Sequence, residues 1–162
     1  MNKTARALEE GGFQSTPAML LRRAYLTTHR AFDSLFVRRG MTADQFVLLM
    51  TLSEEEGINQ RELARKISSD PNTITAMLRL LEGRGYLRRK DRPGDGRARS
   101  VYLTAAGRRR LGALVRSSGK LHGVLAKCFV AEGGGTVLET LARVATVMAA
   151  AWGSQSGRTG AK

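Results

Sequence analysis

Apolar positions recur at helical spacing along most of the chain and switch to a short strand-like pattern once, past its middle. The first periodic stretch starts at Thr16-Pro17, a capping hydroxyl followed by Pro at the first helical position. It carries Leu21, Tyr25, Phe32, Leu35 and Phe36 near one face and runs to about Val37, where Arg38-Arg39-Gly40 closes it. Thr42-Ala43-Asp44-Gln45 is a capping box with Met41 and Phe46 at the staple positions, which predicts a second helix over about 43–54. Asn59-Gln60-Arg61-Glu62 repeats the device with Ile58 and Leu63, and predicts a short third helix over about 60–67. Asp70-Pro71 opens the fourth. There Ile74, Met77, Leu78 and Leu81 form an i, i+3, i+4, i+7 stripe, and Asn72, Thr73, Thr75, Ala76 and Arg79 lie opposite. Gly83 and Gly85 are expected to end this helix at positive-φ positions.

The pattern then changes. Tyr86 to Lys90 and Arg99 to Leu103 are two short runs joined by a loop containing Pro93, Gly94 and Gly96, which predicts a β-hairpin with Arg92, Asp95 and Arg97 at its tip. Thr104 caps a fifth helix over about 105–130, with Leu111, Leu114, Val115, Leu121, Leu125 and Phe129 as its apolar set. Gly133-Gly134-Gly135 breaks the chain before a sixth helix over about 136–152, carrying Val137, Leu141, Val144, Met148 and Trp152. Residues 1–15 lack periodicity and are expected to be flexible. The Ser/Gly-rich stretch 153–162 reads as a disordered tail. The fold class this predicts is mainly α with a small β-hairpin wing.

Charge adds a partner to this outline. The 162 residues hold 27 Lys and Arg against 14 Asp and Glu, a formal net charge of +13. A preference for Arg over Lys explains which base is used, not the excess. Between Arg84 and Arg110 there are ten basic residues and two acidic ones. Basic charge clustered beside a candidate reading helix points to a polyanion, because each cation set against a phosphate releases condensed counterions. Cys128 is the one cysteine, which excludes an intrachain disulfide and a thiolate metal cage. No apolar run approaches the ~20 residues that cross a bilayer, and Met1 to Ser15 contains no apolar signal core. Cytoplasmic residence, with no cofactor and no metal, is the resulting expectation.

A helix whose exposed side is small and polar fits the major groove. In the fourth helix Asn72 presents a donor and an acceptor to a base edge, Thr73 and Thr75 reach a phosphate or a thymine methyl, and Arg79 lies further along. The helix N-terminus is expected to offer free backbone N–H groups to a phosphate. The third helix precedes it across a three-residue turn, which is helix-turn-helix spacing; two surface helices of a bundle would share that spacing. The hairpin separates the two readings, because its tip is too polar and basic for a core. Arg97 suits the minor groove, with Asp95 fixing its guanidinium, and Arg99 adds charge on the same hairpin.

Leu63-Ala64, Asn72-Thr73-Ile74-Thr75, Leu81-Glu82, Gly85-Tyr86-Leu87, Arg89, Asp95-Gly96-Arg97 and Val101-Tyr102-Leu103-Thr104-Ala105-Ala106-Gly107 together resemble the MarR-type winged helix-turn-helix regulators in order and spacing. The resemblance extends over about 18–151 and is most specific between Thr42 and Gly107. It implies dimerisation helices over 16–39 and 105–152 around a DNA-binding domain over 40–104. It also implies an obligate homodimer acting as a transcriptional repressor on a palindromic operator in double-stranded DNA. By position, Asn72, Thr73 and Thr75 read the major groove, Arg97 is the minor-groove arginine and Asp95 its support. Many relatives carry a basic residue where this chain has Ala76; either Arg79 compensates or a contact is missing.

The resemblance further implies a small aromatic or anionic effector between the dimerisation helices and the winged domain. Arg22, Tyr25, His29, Phe32 and Phe46 are candidate liners only because they lie on the first two helices, and dimer-core or interface packing is the simpler explanation of all five. Cys128, flanked by Ala126 and Phe129, reads as a small apolar core thiol. His29 and His122 are too few for a zinc site unless carboxylates join them. No nucleophile–base spacing or phosphate-binding fingerprint supports an enzyme. Two rival classes stay on the table: an effector-independent architectural DNA-binding protein, and an RNA-binding protein. The latter needs stacking aromatics, which total 6% of the chain and do not flank the wing tip.

Overall fold

The computed structural model describes residues 12–92, 95–130, 137 and 139–141, the side chains of 92–98 and 128–130 excepted. The elements are α1 (Pro17–Val37), α2 (Ala43–Glu54), α3 (Gln60–Lys66), α4 (Pro71–Gly83), β1 (Leu87–Arg92), β2 (Asp95–Leu103) and α5 (Ala105–Val130). The chain divides into two units, Met1–Ser118 and Gly119–Lys162; the contacts below lie within the first. Of the sixth helix expected over 136–152, only Val137 and residues 139–141 are described, and these are helical. The readings of residues 1–11, of the tail and of Cys128 as a core thiol lie outside the described residues. No helix among the described residues is long and apolar enough to cross a membrane.

The helix starts follow their local chemistry. Both capping boxes form reciprocally, Thr42 with Gln45 and Asn59 with Glu62, and the staple residues Met41, Phe46, Ile58 and Leu63 are all buried. Just upstream of α1, Phe13–Ser15 forms a short 3-10 turn where no regular structure was expected, and the Thr16 hydroxyl donates to the Phe13 carbonyl at 2.8 Å. The core collects Phe36 from α1, Leu48, Leu49 and Leu52 from α2, and Leu63 from α3. Ile74, Leu78 and Leu81 from α4 and Leu114 from α5 complete it. Each is essentially fully buried, and burying such a side chain contributes roughly 1.5–3 kcal/mol.

On α1 Phe32 and Phe36 are buried, whereas Leu21 and Tyr25 are exposed. Two expectations need correction. Gly83 is the last residue of α4, and the positive φ falls on Gly85 alone of the two, at 71°. The hairpin is longer than its apolar pattern suggested. Pairing runs antiparallel from Leu87↔Leu103 to Arg92↔Asp95 with an irregularity at Asp91/Arg92, so backbone bonds continue through a charged stretch with little strand propensity. The loop before α3 also joins the hairpin. Gly57 N–H donates to the Val101 carbonyl at 2.9 Å and Val101 N–H to the Ile58 carbonyl at 3.0 Å.

The hairpin is anchored at one junction. Tyr86 N–H donates to the Leu81 carbonyl at 2.9 Å, and the Tyr86 carbonyl accepts Thr104 N–H at 3.0 Å. The Thr104 hydroxyl donates to the Gly85 carbonyl at 2.6 Å and accepts Gly107 N–H at 3.0 Å, capping α5. Gly107 lies so close that a Cβ there would sit 2.1 Å from the Tyr86 oxygen. Replacing it with Ala therefore forces two backbone segments apart. Gly107→Ala is expected to destabilise the fold by at least the ~1–3 kcal/mol typical of overpacking. An unchanged denaturation midpoint would show that this approach carries no such constraint.

Candidate nucleic-acid interface

The angle between α3 and α4 is held by a side chain that sequence reasoning passed over. Gln60, at the first position of α3, donates from Nε2 to the Thr75 hydroxyl oxygen at 2.6 Å and to the Pro71 carbonyl at 3.3 Å. The Thr75 hydroxyl itself donates to the Pro71 carbonyl at 2.7 Å. Its hydrogen-bonding capacity is thus committed within the two-helix unit. The connection Ile67–Asp70 is four residues rather than three. Ser68 occupies the left-handed region at φ 53°, a conformation that costs a residue with a Cβ some strain.

The N-terminus of α4 is not the open anion site that was expected. Pro71 has no N–H, and the Asp70 carboxylate accepts the N–H groups of Asn72 and Thr73 at 3.0 and 2.9 Å. Ile74 N–H is taken by the Asp70 carbonyl at 3.1 Å. The first-turn donors are therefore satisfied internally. The Thr73 side-chain hydroxyl, followed by the backbone amides, holds the Asp70 carboxyl below the usual carboxylate range. What α4 offers outward is Asn72, Thr73, Ala76 and Arg79, all exposed, with Thr75 half-buried behind them. Ile74, Met77, Leu78 and Leu81 are buried on the other side, as the stripe predicted.

The hairpin is tied to α4 by an ion pair. Arg89 Nε donates to Glu82 Oε2 at 2.9 Å, with a second bond from Nη2 to the same oxygen. The hydrogen bond from Arg89 pulls the Glu82 carboxyl below its ordinary range. Arg99 is exposed and pairs across the hairpin with Asp91 at 3.1 Å. Arg88 and Lys90, both exposed, lie 6.0 and 5.6 Å from the centre of the Tyr102 ring. Asp95 and Arg97 occupy β2 next to the turn; the pairing expected between their side chains lies outside the described residues. At the other end, Glu56 accepts Leu103 N–H at 3.0 Å and Arg108 Nη2 at 2.7 Å, joining the α2–α3 loop to the start of α5.

The five candidate effector liners do not surround one cavity. Phe32 and Phe46 are buried and stack about Phe36, with centroids 6.0 and 4.6 Å from it. Arg22 lines a depression formed by α1 alone, together with Arg23 and Arg30. Tyr25 lines a cavity of about 180 Å³ whose other walls are Asp44 and Val47 of α2, Ile67–Ser69 of the turn, and Met77 of α4. His29 lies just outside that lining, hydrogen-bonded through Nε2 to Asp44 Oδ1 at 3.1 Å. Gln60 and the Glu82–Arg89 pair left only faint traces in the sequence. These are a polar residue at a helix start, and opposite charges seven positions apart across a helix-to-strand junction.

Residues 41–98 match the model of the MarR family. The chain is 37% identical over 99 residues to the HTH-type transcriptional regulator TtmR of Methylorubrum extorquens, a match covering 59% of this chain and 50% of that protein. The chain spans about half the length of the curated relatives it matches. Among solved structures it resembles the transcriptional repressor CouR bound to a 23-mer DNA duplex. The TM-score is 0.73 at 28% identity, covering 83% of this chain and 96% of that one. A mutant of MarR from E. coli complexed with operator DNA gives a TM-score of 0.71 at 26% identity, covering 78% and 91%.

The Glu82–Arg89 link makes a pH-dependent prediction. A carboxyl lowered on folding contributes stability in full above its unfolded value, about 4.3, and loses it as pH falls through the lowered folded value. Wild type should therefore exceed Glu82→Gln in stability at pH 6, and the gap should close as acid protonates Glu82. A gap that persists unchanged at pH 3 would contradict the ion pair as its source.

Proposed function

We propose that the chain is a MarR-family regulator, on the match of its residues 41–98 to that family's model, and that it is a homodimeric, sequence-specific DNA-binding repressor, acting on a palindromic operator and released by a small ligand. The family is one of transcriptional regulators rather than enzymes. The observation that carries the reading is the two-sided character of α4. One side is sealed into the core, and the other exposes Asn72, Thr73, Ala76 and Arg79 beside a basic hairpin hydrogen-bonded to the same helix. The DNA-bound state of CouR and of the MarR mutant, at comparable fold likeness, supports carrying the mode of contact over.

In this reading α4 enters the major groove. Asn72 addresses a base edge, Thr73 addresses a phosphate or a thymine methyl, and Arg79 stands where Ala76 leaves the groove face short of a cation. Thr75 is reassigned: with its hydroxyl bonded to Gln60 and Pro71, it orients α4 on α3. Arg97 enters the minor groove with Asp95 fixing its guanidinium, and Arg99, held by Asp91, adds charge along the hairpin. Dimerisation falls to α1 and to α5 with the chain beyond it. Leu20, Leu21 and Tyr25 on α1, and Val115 and Val124 on α5, are all more than a third exposed, and a two-fold interface supplies the missing cover.

Two experiments test the proposal. Arg97→Ala should weaken binding to a selected operator by about 1–3 kcal/mol, the scale of one good contact; unchanged affinity would remove Arg97 from the interface. Truncation after Gly135 should abolish the dimer in light scattering, and an unchanged dimer would contradict the role given to the C-terminal helices.

A further inference from the structure

Two guanidinium groups converge where α1 ends. Gly40, in the left-handed region at φ 67°, closes the turn from α1 to α2. Its carbonyl accepts Arg84 Nη1 from the end of α4 at 2.6 Å. A Cβ built at Gly40 would lie 4.0 Å from Nη2 of Arg110, which comes from α5. Arg110 is half-buried, and its Nε is buried with no hydrogen-bond partner among the described residues. A buried guanidinium N–H without an acceptor is unfavourable, and two cations brought onto one residue repel each other.

Neither capping nor ion pairing accounts for the cluster. The last α1 carbonyls are already served by backbone: Phe36 accepts Arg39 and Met41 N–H at 2.8 and 3.1 Å, and Val37 accepts Gly40 N–H at 2.8 Å. The Asp33 carboxylate on the last turns of α1 accepts Ala43 N–H at 2.9 Å. Among the described residues no carboxylate pairs with Arg84 or Arg110. Both also stand away from the groove contacts assigned above. α4 rises about 18 Å from Asn72 to Arg84, and β1 climbs roughly 16 Å from its base to the turn.

We propose that Arg84 and Arg110 bind a dianionic oxyanion of the phosphate class, free phosphate or a phosphate monoester, at a site separate from the DNA interface. Two fixed positive charges balance a dianion, whereas a monocarboxylate leaves one of them uncompensated. Guanidinium forks match such oxyanions through paired N–H bonds, and Arg84 commits only one donor to Gly40. The Nη groups of both side chains hold the oxyanion, and a small turn of the Arg110 fork gives Nε the acceptor it lacks. The ligand ties the end of α4 to the start of α5 beside the α1–α2 turn, so occupancy stabilises the folded chain. The site shares no residue with the cavity beside Asp44, and it does not rest on the repressor reading.

The test uses the full-length protein without DNA, in a chloride buffer free of phosphate and sulfate. Calorimetry and thermal unfolding are followed against sodium phosphate, with sodium acetate and sodium chloride at matched ionic strength. Saturable phosphate binding that raises the Tm, about tenfold tighter than acetate, is expected. Arg110→Gln should weaken phosphate about tenfold, and Arg84→Gln, exposed and screened by solvent, about threefold. Arg116→Gln removes the same charge from an exposed position elsewhere on α5 and should bind phosphate as wild type does. In the phosphate-free buffer Arg110→Gln should be at least as stable as wild type, because it removes an unpaired cation. Tighter binding of phenyl phosphate than of inorganic phosphate would mark a monoester as the ligand, and the reverse would mark the free ion. No saturable binding, equal affinity for acetate, phosphate affinity unchanged in Arg110→Gln, or an equal loss in Arg116→Gln would each overturn the proposal. So would a lower Tm of Arg110→Gln without phosphate, which would reveal a protein acceptor already on the guanidinium. DNA binding is measured separately, and its salt dependence should be the same in Arg110→Gln and wild type. A slope reduced by about one would place a backbone phosphate at the cluster and overturn the separate site. Failure of all DNA binding would overturn the repressor reading and leave the phosphate site standing.

Discussion

The contact of Gly107 against the Tyr86 carbonyl is the constraint on which the reading unit depends. It joins the end of α4, the residue before β1, the residue after β2 and the start of α5 within a few hydrogen bonds. Tyr86 bonds back to Leu81 and forward to Thr104, so the hairpin inherits its direction from α4 rather than from its own turn. The Glu82–Arg89 pair fixes the same relation from the side, and Glu56 ties the junction end of β2 to Arg108. A wing held by backbone approach keeps its tip at a set distance from the helix it accompanies, which two-groove recognition requires.

A second fixed relation lies between α3 and α4. The pair is closed on the inside by Leu63, Ile74 and Leu78, and on the outside by Gln60 reaching Thr75 and Pro71. Asp70 then consumes the first-turn amides of α4, so that the helix presents side chains rather than its N-terminus. The consequence for recognition is specific. Under the proposed DNA-binding function, affinity from a phosphate at that helix end is forgone, and discrimination falls to Asn72, Thr73 and Arg79.

The sequence disclosed what is local. Capping boxes at Thr42 and Asn59, the Asp70-Pro71 start and the Ile74-Met77-Leu78-Leu81 stripe are written within four to eight residues, and the structure realises each. The longer hairpin was hidden because its outer half is charged and lacks an alternating apolar signal. The added pairing of Gly57 and Ile58 with Val101 and the Gly107–Tyr86 approach join residues 21 to 44 positions apart, beyond the reach of periodicity. The same limit explains the effector liners. Being on α1 and α2 was sufficient to nominate Phe32 and Phe46, but only packing reveals that Phe36 stacks them into the core.

The account turns on α4 and the wing of two protomers addressing one duplex together. Hydroxyl-radical footprinting on a duplex selected from random sequence by the purified protein tests this most directly. Two protected half-sites related by a dyad, centred about one helical turn or ~34–36 Å apart, with flanking minor-groove protection, are predicted. Uniform protection without a dyad, growing along the duplex as protein is added, would contradict it and leave a protein that coats DNA.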